Sequence, residues 1–280
     1  MPTLLEVSAA LKNLRRPWPH RWPGLPLVFE RCCHQLALRH DRAGSRTQAL
    51  LTYARAVVEH VEHDGLSRFA RGGEPAYHNR LHIADTLVCM TFLLQASRLL
   101  KVPGSDEATH QAMALAIMAG HDFLHPGGSN ASPAEFEVRA VQDLQPFMAR
   151  AALAQEDRET LAYCILATDP SRVKSFHHQI ASQPFDLSHP DCMAVLVQES
   201  DILGSTLPQT QVGLTRALSQ EWSAKQPDAA QALLRPKNRL LFLEHAALFS
   251  SPAALVLGLD RVKGRQMTQI RGQLALETDA

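Results

Sequence analysis

Apolar side chains recur at every third or fourth position along most of the chain, which is the spacing of a helix with one buried face. Within residues 48–63 this stripe includes Leu50, Tyr53 and Val57, and we expect Gly65 to end that helix. The same spacing predicts further helices over residues 80–100, 107–120, 133–150, 155–167, 190–203, 209–225, 229–250 and 253–257. No stretch shows the alternation of a strand. We therefore expect an all-α fold, a compact multi-helix bundle of about eight to eleven helices.

The helix over residues 133–150 has the clearest predicted start. Ser132 is a preferred N-cap residue, and Pro133 suits the first helical position. Glu135 at the third position completes the pattern of a capping box.

Length and composition indicate one domain with a distinct N-terminal segment. With 280 residues, of which 45% are hydrophobic, the chain can bury a large core, and we expect a single domain over residues 47–280. Residues 1–46 hold eight Lys or Arg against three acids, with Trp18 and Trp22 among four prolines. Basic residues interleaved with aromatic ones can contact nucleic acid, but no recognised motif accompanies them. We interpret this segment as an irregular arm packed on the domain, without chemistry of its own.

The overall charge is balanced, with 28 Lys and Arg against 28 Asp and Glu. Nothing global therefore attracts nucleic acid or an anionic membrane, and an anionic ligand needs a local site. Five cysteines without a CxxC spacing disfavour a disulfide framework and a zinc ribbon, and indicate a reducing compartment. No apolar run approaches the roughly 18 residues of a membrane span, and the N-terminus lacks the charge pattern of a signal peptide. We expect a soluble cytoplasmic protein without nucleic-acid or membrane partners, and its oligomeric state stays open.

Two short stretches concentrate histidines and carboxylates, YHNRLHIAD at residues 77–85 and HDFLHPGGSN at residues 121–130. His121 and Asp122 follow an apolar helix. The side chains of adjacent helical residues point about 100° apart, so His121 and Asp122 can bind one ion between them. Such a cluster at a helix end is typical of a metal site.

Metal ligands of mixed nitrogen and oxygen type are expected. His82 and His121 offer imidazole nitrogens and Asp122 an oxygen, a set suited to zinc, iron or manganese. Asp201 is the best fourth ligand, because it lies in the buried-looking run AVLVQESDILG, where an unpaired carboxylate is costly. The weaker alternatives are Glu199 and Asp191.

The position of His78 leaves two arrangements open. It precedes His82 by four residues, which stacks the two rings on one face if both lie on a helix. If Asn79 caps the helix instead, His78 lies just outside it, where a side chain projecting into a cleft can transfer protons. In that case only His82 is a helix-borne ligand.

Taken together, these motifs resemble those of a known family. YHNRLHIAD, HDFLHPGGSN, LATD at residues 166–169 and ESDI at residues 199–202 resemble the HD-domain metal-dependent phosphohydrolases, most closely the class I cyclic nucleotide phosphodiesterases. The match covers roughly residues 75–204. The resemblance implies that a first, zinc-like metal is bound by His82, His121, Asp122 and Asp201. It also implies that Asp122 reaches a second divalent metal, often magnesium or manganese.

The same resemblance implies catalytic roles for two further histidines. His78 matches the general acid, and His125 matches a histidine that supports the second metal through bound water. The implied reaction is phosphoester hydrolysis by a metal-bridged hydroxide, with His78 protonating the departing oxygen. Supporting groups are expected at Tyr77, Asn79, Asp85, Asn130, Glu137, Thr168 and Asp169.

Two departures from the family bear on the substrate. The glutamine and following aromatic residue that clamp a purine have no counterpart in residues 250–264, and RETLAYC stands where the family has an Asn-His-His segment. We expect a phosphoester of a nucleotide-like small molecule, with cyclic nucleotides the first class to test. The alternatives are an HD-domain di-iron oxygenase, which uses the same kinds of ligand, and a non-catalytic module that binds metal or nucleotide.

Overall fold

Over residues 1–38 and 44–278, which the computed structural model describes, the chain forms fourteen helices and no strand. The predicted all-α bundle is confirmed, with more and shorter helices than expected. The helices are α1 (Leu4–Arg15), α2 (Leu25–Gln35), α3 (Arg46–Ala70), α4 (Arg80–Leu99), α5 (Ala108–Gly120), α6 (Glu135–Arg150), α7 (Gln155–Leu166), α8 (Val173–Ile180), α9 (Pro190–Thr206), α10 (Gln211–Trp222), α11 (Pro227–Leu233), α12 (Pro236–His245), α13 (Pro252–Leu257) and α14 (Leu259–Thr278). Arg39 and Arg42 of the basic segment, and the last two residues of the expected domain, lie outside the described residues. Within those residues, no helix is long and apolar enough to cross a bilayer.

Three apolar helices, α4, α5 and α9, form the centre of the bundle. Every residue from Gln111 to Gly120 of α5 is buried, as is every residue from Asp191 to Ser200 of α9. A helix that is apolar on all sides lies inside a protein, with other helices around it. Helix α3 packs along α5, and α1 and α2 cover α4. This arrangement brings the end of α5 close to the first turn of α4 and the middle of α9.

Helix α3 continues past Gly65 to Ala70, so the expected end at this glycine is wrong. Glycine in a helix interior costs about 1 kcal/mol relative to alanine. At this position a Cβ atom would lie 2.5 Å from Cδ of Arg80, closer than packed carbon atoms approach. Gly65 therefore makes space for the Arg80 side chain.

The start of α6 also differs from the expected capping box. Ala134, with φ +55°, stands at the N-cap position in place of Ser132, and no side-chain bond from it caps the helix. Asn130 supplies an acceptor instead, since its Oδ1 receives the backbone N–H of Phe136 at 3.0 Å. The Glu135 carboxylate accepts a backbone N–H of the same loop at 2.8 Å. The loop thus folds back over the helix end, and this contact outweighs the local pattern.

The single helix predicted over residues 229–250 is wrong, because two helices, α11 and α12, form there. Pro236 has no N–H to donate and disfavours helical backbone at Arg235 before it. The chain therefore breaks and restarts with proline in the first turn. Helices α8 and α14 form where the pattern predicts none.

The N-terminal segment is helical over most of its described length, so its description as an irregular arm is wrong. Val7 and Leu11 of α1 and Leu25 and Phe29 of α2 are fully buried in the common core. The turn between these helices, which holds both tryptophans, is irregular. The division of the chain at residue 46 stays a prediction.

Candidate metal centre

Four side chains from three parts of the core converge at one place. His82 lies in the first turn of α4, and Asp201 lies in α9. His121 and Asp122 directly follow α5. His82 Nε2 is 3.1 Å from Oδ2 of Asp122 and 3.1 Å from Oδ1 of Asp201, and His121 Nε2 lies 3.4 and 3.6 Å from the same oxygens. Two imidazole nitrogens and two carboxylate oxygens therefore face one another, and we call these four residues the metal cluster.

Asn79 decides which histidine of YHNRLH joins the metal cluster. Its Oδ1 accepts the backbone N–H groups of Leu81 at 2.9 Å and His82 at 3.2 Å, so Asn79 is the N-cap of α4. His82 consequently lies inside the helix and His78 before it. This is the second of the two arrangements that the spacing allows.

The atoms of the metal cluster fit a divalent cation. His121 Nδ1 donates to the carbonyl oxygen of Met118 at 2.9 Å, so the neutral ring presents a lone pair at Nε2. That Nε2 is buried and makes no hydrogen bond. A lone pair that faces two carboxylates is repelled unless a positive charge lies between them. His82, His121 and Asp122 are also close enough together to share one ion.

The pKa shifts of His82 and Asp201 also indicate that this cluster is stabilised by positive charge. Burial lowers the pKa of His82, but hydrogen bonds to Asp122 and Asp201 outweigh it and raise the pKa to about 10. Burial likewise raises the pKa of Asp201, yet the neighbouring imidazoles of His121 and His82 outweigh it and bring the pKa well below its usual range. A metal ion supplies this charge without protons, and a mixed imidazole and carboxylate set suits zinc, manganese or iron.

A second group of three residues lies beside the metal cluster and shares Asp122 with it. His78, Asp122 and His125 each offer a ligand atom within 4.8 Å of the others. The His78 and His125 rings stack with their centroids 3.8 Å apart. Burial, and then the charge of His78, lowers the pKa of His125 to about 4. Its Nδ1 accepts the N–H of Gly127 at 3.1 Å, so the neutral ring carries its proton on Nε2 and suits a contact through water.

Sequence reasoning missed Glu221, which holds His78. Glu221 Oε1 accepts a hydrogen bond from His78 Nδ1 at 2.6 Å. Its Oε2 accepts the backbone N–H groups of Tyr77 at 2.8 Å and His78 at 2.9 Å. Burial raises the pKa of Glu221, but the hydrogen bond and charge of His78 outweigh it, and the pKa falls to about 2. The ionised carboxylate fixes the ring of His78 and leaves Nε2 as its free nitrogen.

No local pattern identifies Glu221, because it lies 143 residues from His78 in the amphipathic helix α10. Gly127 and Gly128 carry a weak signal. Both have positive φ, +79° and +99°, and a Cβ atom at Gly127 would lie 3.2 Å from Cγ of Glu221. The backbone N–H of Gly128 donates to Glu221 Oε1 at 3.1 Å. Two glycines directly after a metal motif are consistent with another element closing over the loop.

Five of the expected supporting residues line the cavity next to the metal cluster; they are Tyr77, Asn130, Glu137, Thr168 and Asp169. The Tyr77 hydroxyl lies 3.1 Å from Ser205 Oγ. Asn130 Nδ2 donates to Glu137 Oε2 at 2.9 Å, and burial raises the pKa of Glu137. Thr168 donates to a backbone carbonyl of α7 at 2.7 Å, and the Asp169 carboxylate accepts from Ser171 at 2.9 Å. Within the described residues, none of these five side chains forms a hydrogen bond with a ring nitrogen of the metal cluster.

The remaining carboxylates have partners elsewhere. Asp85, expected to support the site, is buried and forms an ion pair with Arg15 of α1. Glu199 accepts two backbone N–H groups just before α13, at 2.5 and 2.7 Å. Asp191 accepts from Gln179 Nε2 at 2.7 Å. The two alternatives to Asp201 therefore already have hydrogen-bond donors of their own.

The metal cluster and the His78–His125 pair open into one cavity of about 720 Å³. Its apolar wall includes Leu214, Leu218, Trp222 and Phe242 from α10 and α12. Arg239 also lines the cavity, where its Nη1 donates to a carbonyl at the end of α9 at 2.8 Å. The size and the mixed lining suit a small polar ligand that has an apolar part.

Comparison with known proteins supports the fold. No protein-family model matches the sequence, and no curated protein matches it. Among solved structures, the chain is similar to a Leishmania class I cyclic nucleotide phosphodiesterase, LmjPDEB1, solved in complex with IBMX. The two share 15% identity over 96% of this chain and 98% of the other, with a TM-score of 0.53. The chain thus has an all-helical fold that matches that of a cyclic nucleotide phosphodiesterase.

Proposed function

We propose that this protein is a metal-dependent, phosphodiesterase-like phosphohydrolase that cleaves a phosphoester of a nucleotide-like small molecule. One observation carries the proposal: His78, held by Glu221 at 2.6 Å, lies beside the metal cluster, and both open into the same cavity. A metal site that only stabilises the fold needs no ionised partner for a further histidine. Placed together, a metal cluster and an oriented imidazole are the parts that hydrolysis of a phosphoester requires.

In this proposal the metal cluster holds the first divalent cation. Asp122 reaches the second, and His125 supports that second position through water. When bound, the cations polarise phosphoryl oxygens, lower the pKa of water at the site and neutralise the negative charge that grows on the phosphate. Zinc, manganese or iron suits the mixed nitrogen and oxygen atoms of the metal cluster.

His78 supplies the proton that the leaving oxygen needs. Because Nδ1 is bonded to Glu221, the proton comes from Nε2. Glu221 also bonds the backbone N–H groups of Tyr77 and His78, which fixes the loop as well as the ring. A proton donor positioned in this way contributes about 100- to 10,000-fold to the rate.

The cavity supports a nucleotide-like substrate. Its volume of about 720 Å³ lies within the range typical of small-molecule sites, roughly 300 to 1,000 Å³. Trp222 and Phe242 in its wall offer ring faces to a base, in place of the missing glutamine and aromatic clamp. The similar phosphodiesterase was solved with IBMX, a nucleotide-like ligand, which makes cyclic nucleotides the first class to test.

The test is hydrolysis of a panel of cyclic, linear and generic phosphoesters by purified protein with manganese, magnesium or zinc, with metal content measured in parallel. We expect turnover of at least one substrate, and its loss on chelation. Inertness across the panel with metal bound would contradict the proposal. A thermal shift with metal but no turnover would then favour a binding module, and two irons with a mixed-valent visible spectrum would favour an oxygenase.

A further inference from the structure

Arg80, the first residue of α4, is 2% exposed and forms the centre of a buried ionic network. Its Nε and Nη2 donate to the two carboxylate oxygens of Glu74 at 2.8 and 2.9 Å. Its Nη1 donates to Glu62 Oε1 at 2.6 Å. Glu74 begins the loop that leads to His78, and Glu62 belongs to α3. Arg80 therefore ties both ends of residues 74–80 to α3.

The turn between α1 and α2 completes this network. Glu62 Oε2, the oxygen that Arg80 leaves free, accepts Trp22 Nε1 at 3.0 Å and the backbone N–H of Leu25 at 2.6 Å. The Trp18 ring centroid lies 5.0 Å from the guanidinium carbon of Arg80, within the range of a cation–π contact. Two carboxylates face one guanidinium here. The two N–H groups of the turn therefore stabilise the excess negative charge on Glu62.

A second contact joins the same segment to α4 on the far side of His82. Arg15, at the end of α1, forms an ion pair with Asp85, which lies almost one helical turn after His82. The side chain of Asp85 is 5% exposed, so this is a largely buried pair. The segment from Arg15 to Leu25 thus holds α4 both before and after the histidine of the metal cluster.

We propose that residues 15–25 position the site, and we call them the N-terminal brace. The backbone N–H groups of Tyr77 and His78 must meet Glu221 while Asn79 caps α4. A loop that is held at Glu74 and at Arg80 can keep the N–H groups in contact with Glu221 while Asn79 caps the helix. The brace is a positioning element that acts through Glu62 and Arg80. Its effect on turnover rests on the proposed function, whereas its effect on the order of the loop does not.

Amide hydrogen exchange of the full chain without metal tests the brace directly. The double substitution Trp18→Leu with Trp22→Phe removes the ring beside Arg80 and the donor to Glu62, and keeps apolar bulk. We expect amides of residues 74–82 to exchange at least about tenfold faster than in the wild type, with the core of α5 little changed. Leu11→Ala is the matched control, because Leu11 is fully buried on α1 but outside the network. In that variant we expect no selective effect on residues 74–82.

Titration with Zn²⁺ alone gives a second readout. We expect the brace variant to bind Zn²⁺ about 10- to 100-fold more weakly than the Leu11→Ala control, which is the usual effect of losing support behind a ligand. Glu62→Gln weakens the same network from α3 and should reproduce both results even if the double variant does not fold. With a phosphoester substrate, kcat should fall while KM stays constant.

The two proposals fail in different ways. A wild-type protein without turnover contradicts the proposed function, and the exchange and Zn²⁺ measurements then judge the brace alone. Equal exchange of residues 74–82 and equal Zn²⁺ affinity in the brace variant and in Leu11→Ala would overturn the brace.

Discussion

Two groups of buried charge meet at the first turn of α4, one around Arg80 and one around His82. They differ in whether side chains and N–H groups of the protein balance their charge. In the Arg80 network, one guanidinium bonds two carboxylates, and N–H groups of the N-terminal turn stabilise the remainder. In the metal cluster, two carboxylates face two imidazoles, and the Nε2 of His121 has no hydrogen bond. Buried charge is tolerated only when it is paired. The first group is therefore complete as folded, while the second is complete only with a cation, and we expect chemistry at the second.

Replacing His78 by alanine has the largest expected effect, since His78 lies beside the metal cluster but is not one of its four residues. Turnover should fall about 100- to 10,000-fold with bound metal unchanged, because a positioned proton donor is lost. Steady-state kinetics with elemental analysis measures both. The loss should shrink for nitrophenyl esters, whose leaving group needs little protonation.

Glu221→Gln is the matched control for this prediction, because it keeps the size of the side chain and removes only its charge. It should give a smaller loss than His78→Ala, again with metal retained. If His78→Ala strips metal, or slows nitrophenyl and alkyl esters equally, His78 is a ligand or a substrate contact and not the acid.

Arg80→Met tests the other side of the comparison. It should lower the free energy of unfolding by about 3 to 5 kcal/mol, because Glu62 and Glu74 stay buried without their cation. Urea unfolding measures this. Adding Glu74→Gln should recover part of the loss by removing one uncompensated charge. A loss below about 1 kcal/mol would mean that water or another cation replaces Arg80.

Metal should stabilise the fold through the metal cluster and not through the Arg80 network. Zn²⁺ or Mn²⁺ at about 100 times its Kd should raise the free energy of unfolding by about 3 kcal/mol in the wild type. At the same metal concentration His82→Ala should remove most of this gain, whereas Arg80→Met should lower stability and keep the gain once the metal is raised to about 100 times the Kd of that variant. Thermal unfolding with and without metal measures these gains. If His82→Ala gains as much stability from metal as the wild type, the ion binds elsewhere.

His177 is a buried histidine that can be compared with His82. Its pKa is shifted by burial and by a lysine, and not by carboxylates. Burial, and then the charge of Lys263, lowers its pKa to about 4, and its Nδ1 lies 2.7 Å from Ser250 Oγ. Its pKa shift is thus opposite to that of His82.

The sign of the pH dependence follows from this lowered pKa. As pH falls from about 6.5 to about 4, His177 becomes protonated in the unfolded chain but stays neutral in the folded protein. The stability that His177 contributes above pH 6.5 is therefore lost through this window, about 3 kcal/mol in all. Subtracting the urea-unfolding curve of His177→Asn from that of the wild type isolates the effect. A flat difference over this range would contradict the prediction.

The helical periodicity predicted most of the central helices correctly, and the failures have local causes. The apolar spacing predicts a helix end at Gly65, but this glycine lies inside α3 and makes space for Arg80. Pro236 divides a stretch whose apolar spacing continues across it. At Ser132 the capping pattern is present, but Asn130, two residues earlier in the same loop, supplies the acceptor instead. Local patterns thus failed where a contact from outside the pattern changed the local free energy.

In the candidate site, too, local motifs indicate some residues, while others depend on contacts between distant parts of the chain. His82, His121, Asp122 and His125 lie in two short motifs, so their residue types and spacing already indicated a metal centre. Asp201 needed an argument from burial, since it lies 79 residues after Asp122 by their numbering. Glu221 was not predicted, although it makes three bonds to Tyr77 and His78.

The sequence by itself determined the all-α class, the buried character of α5 and α9 and the residue types of the candidate metal centre. These properties depend on side chains that are neighbours along the chain, where periodicity and capping act. Only the tertiary structure decided that Glu221 holds His78 and that the turn with Trp18 and Trp22 supports Arg80. Glu221 and His78 are 143 positions apart in the chain, and Trp22 and Glu62 are 40 positions apart. Contacts over such separations depend on how whole helices pack, which no local spacing specifies.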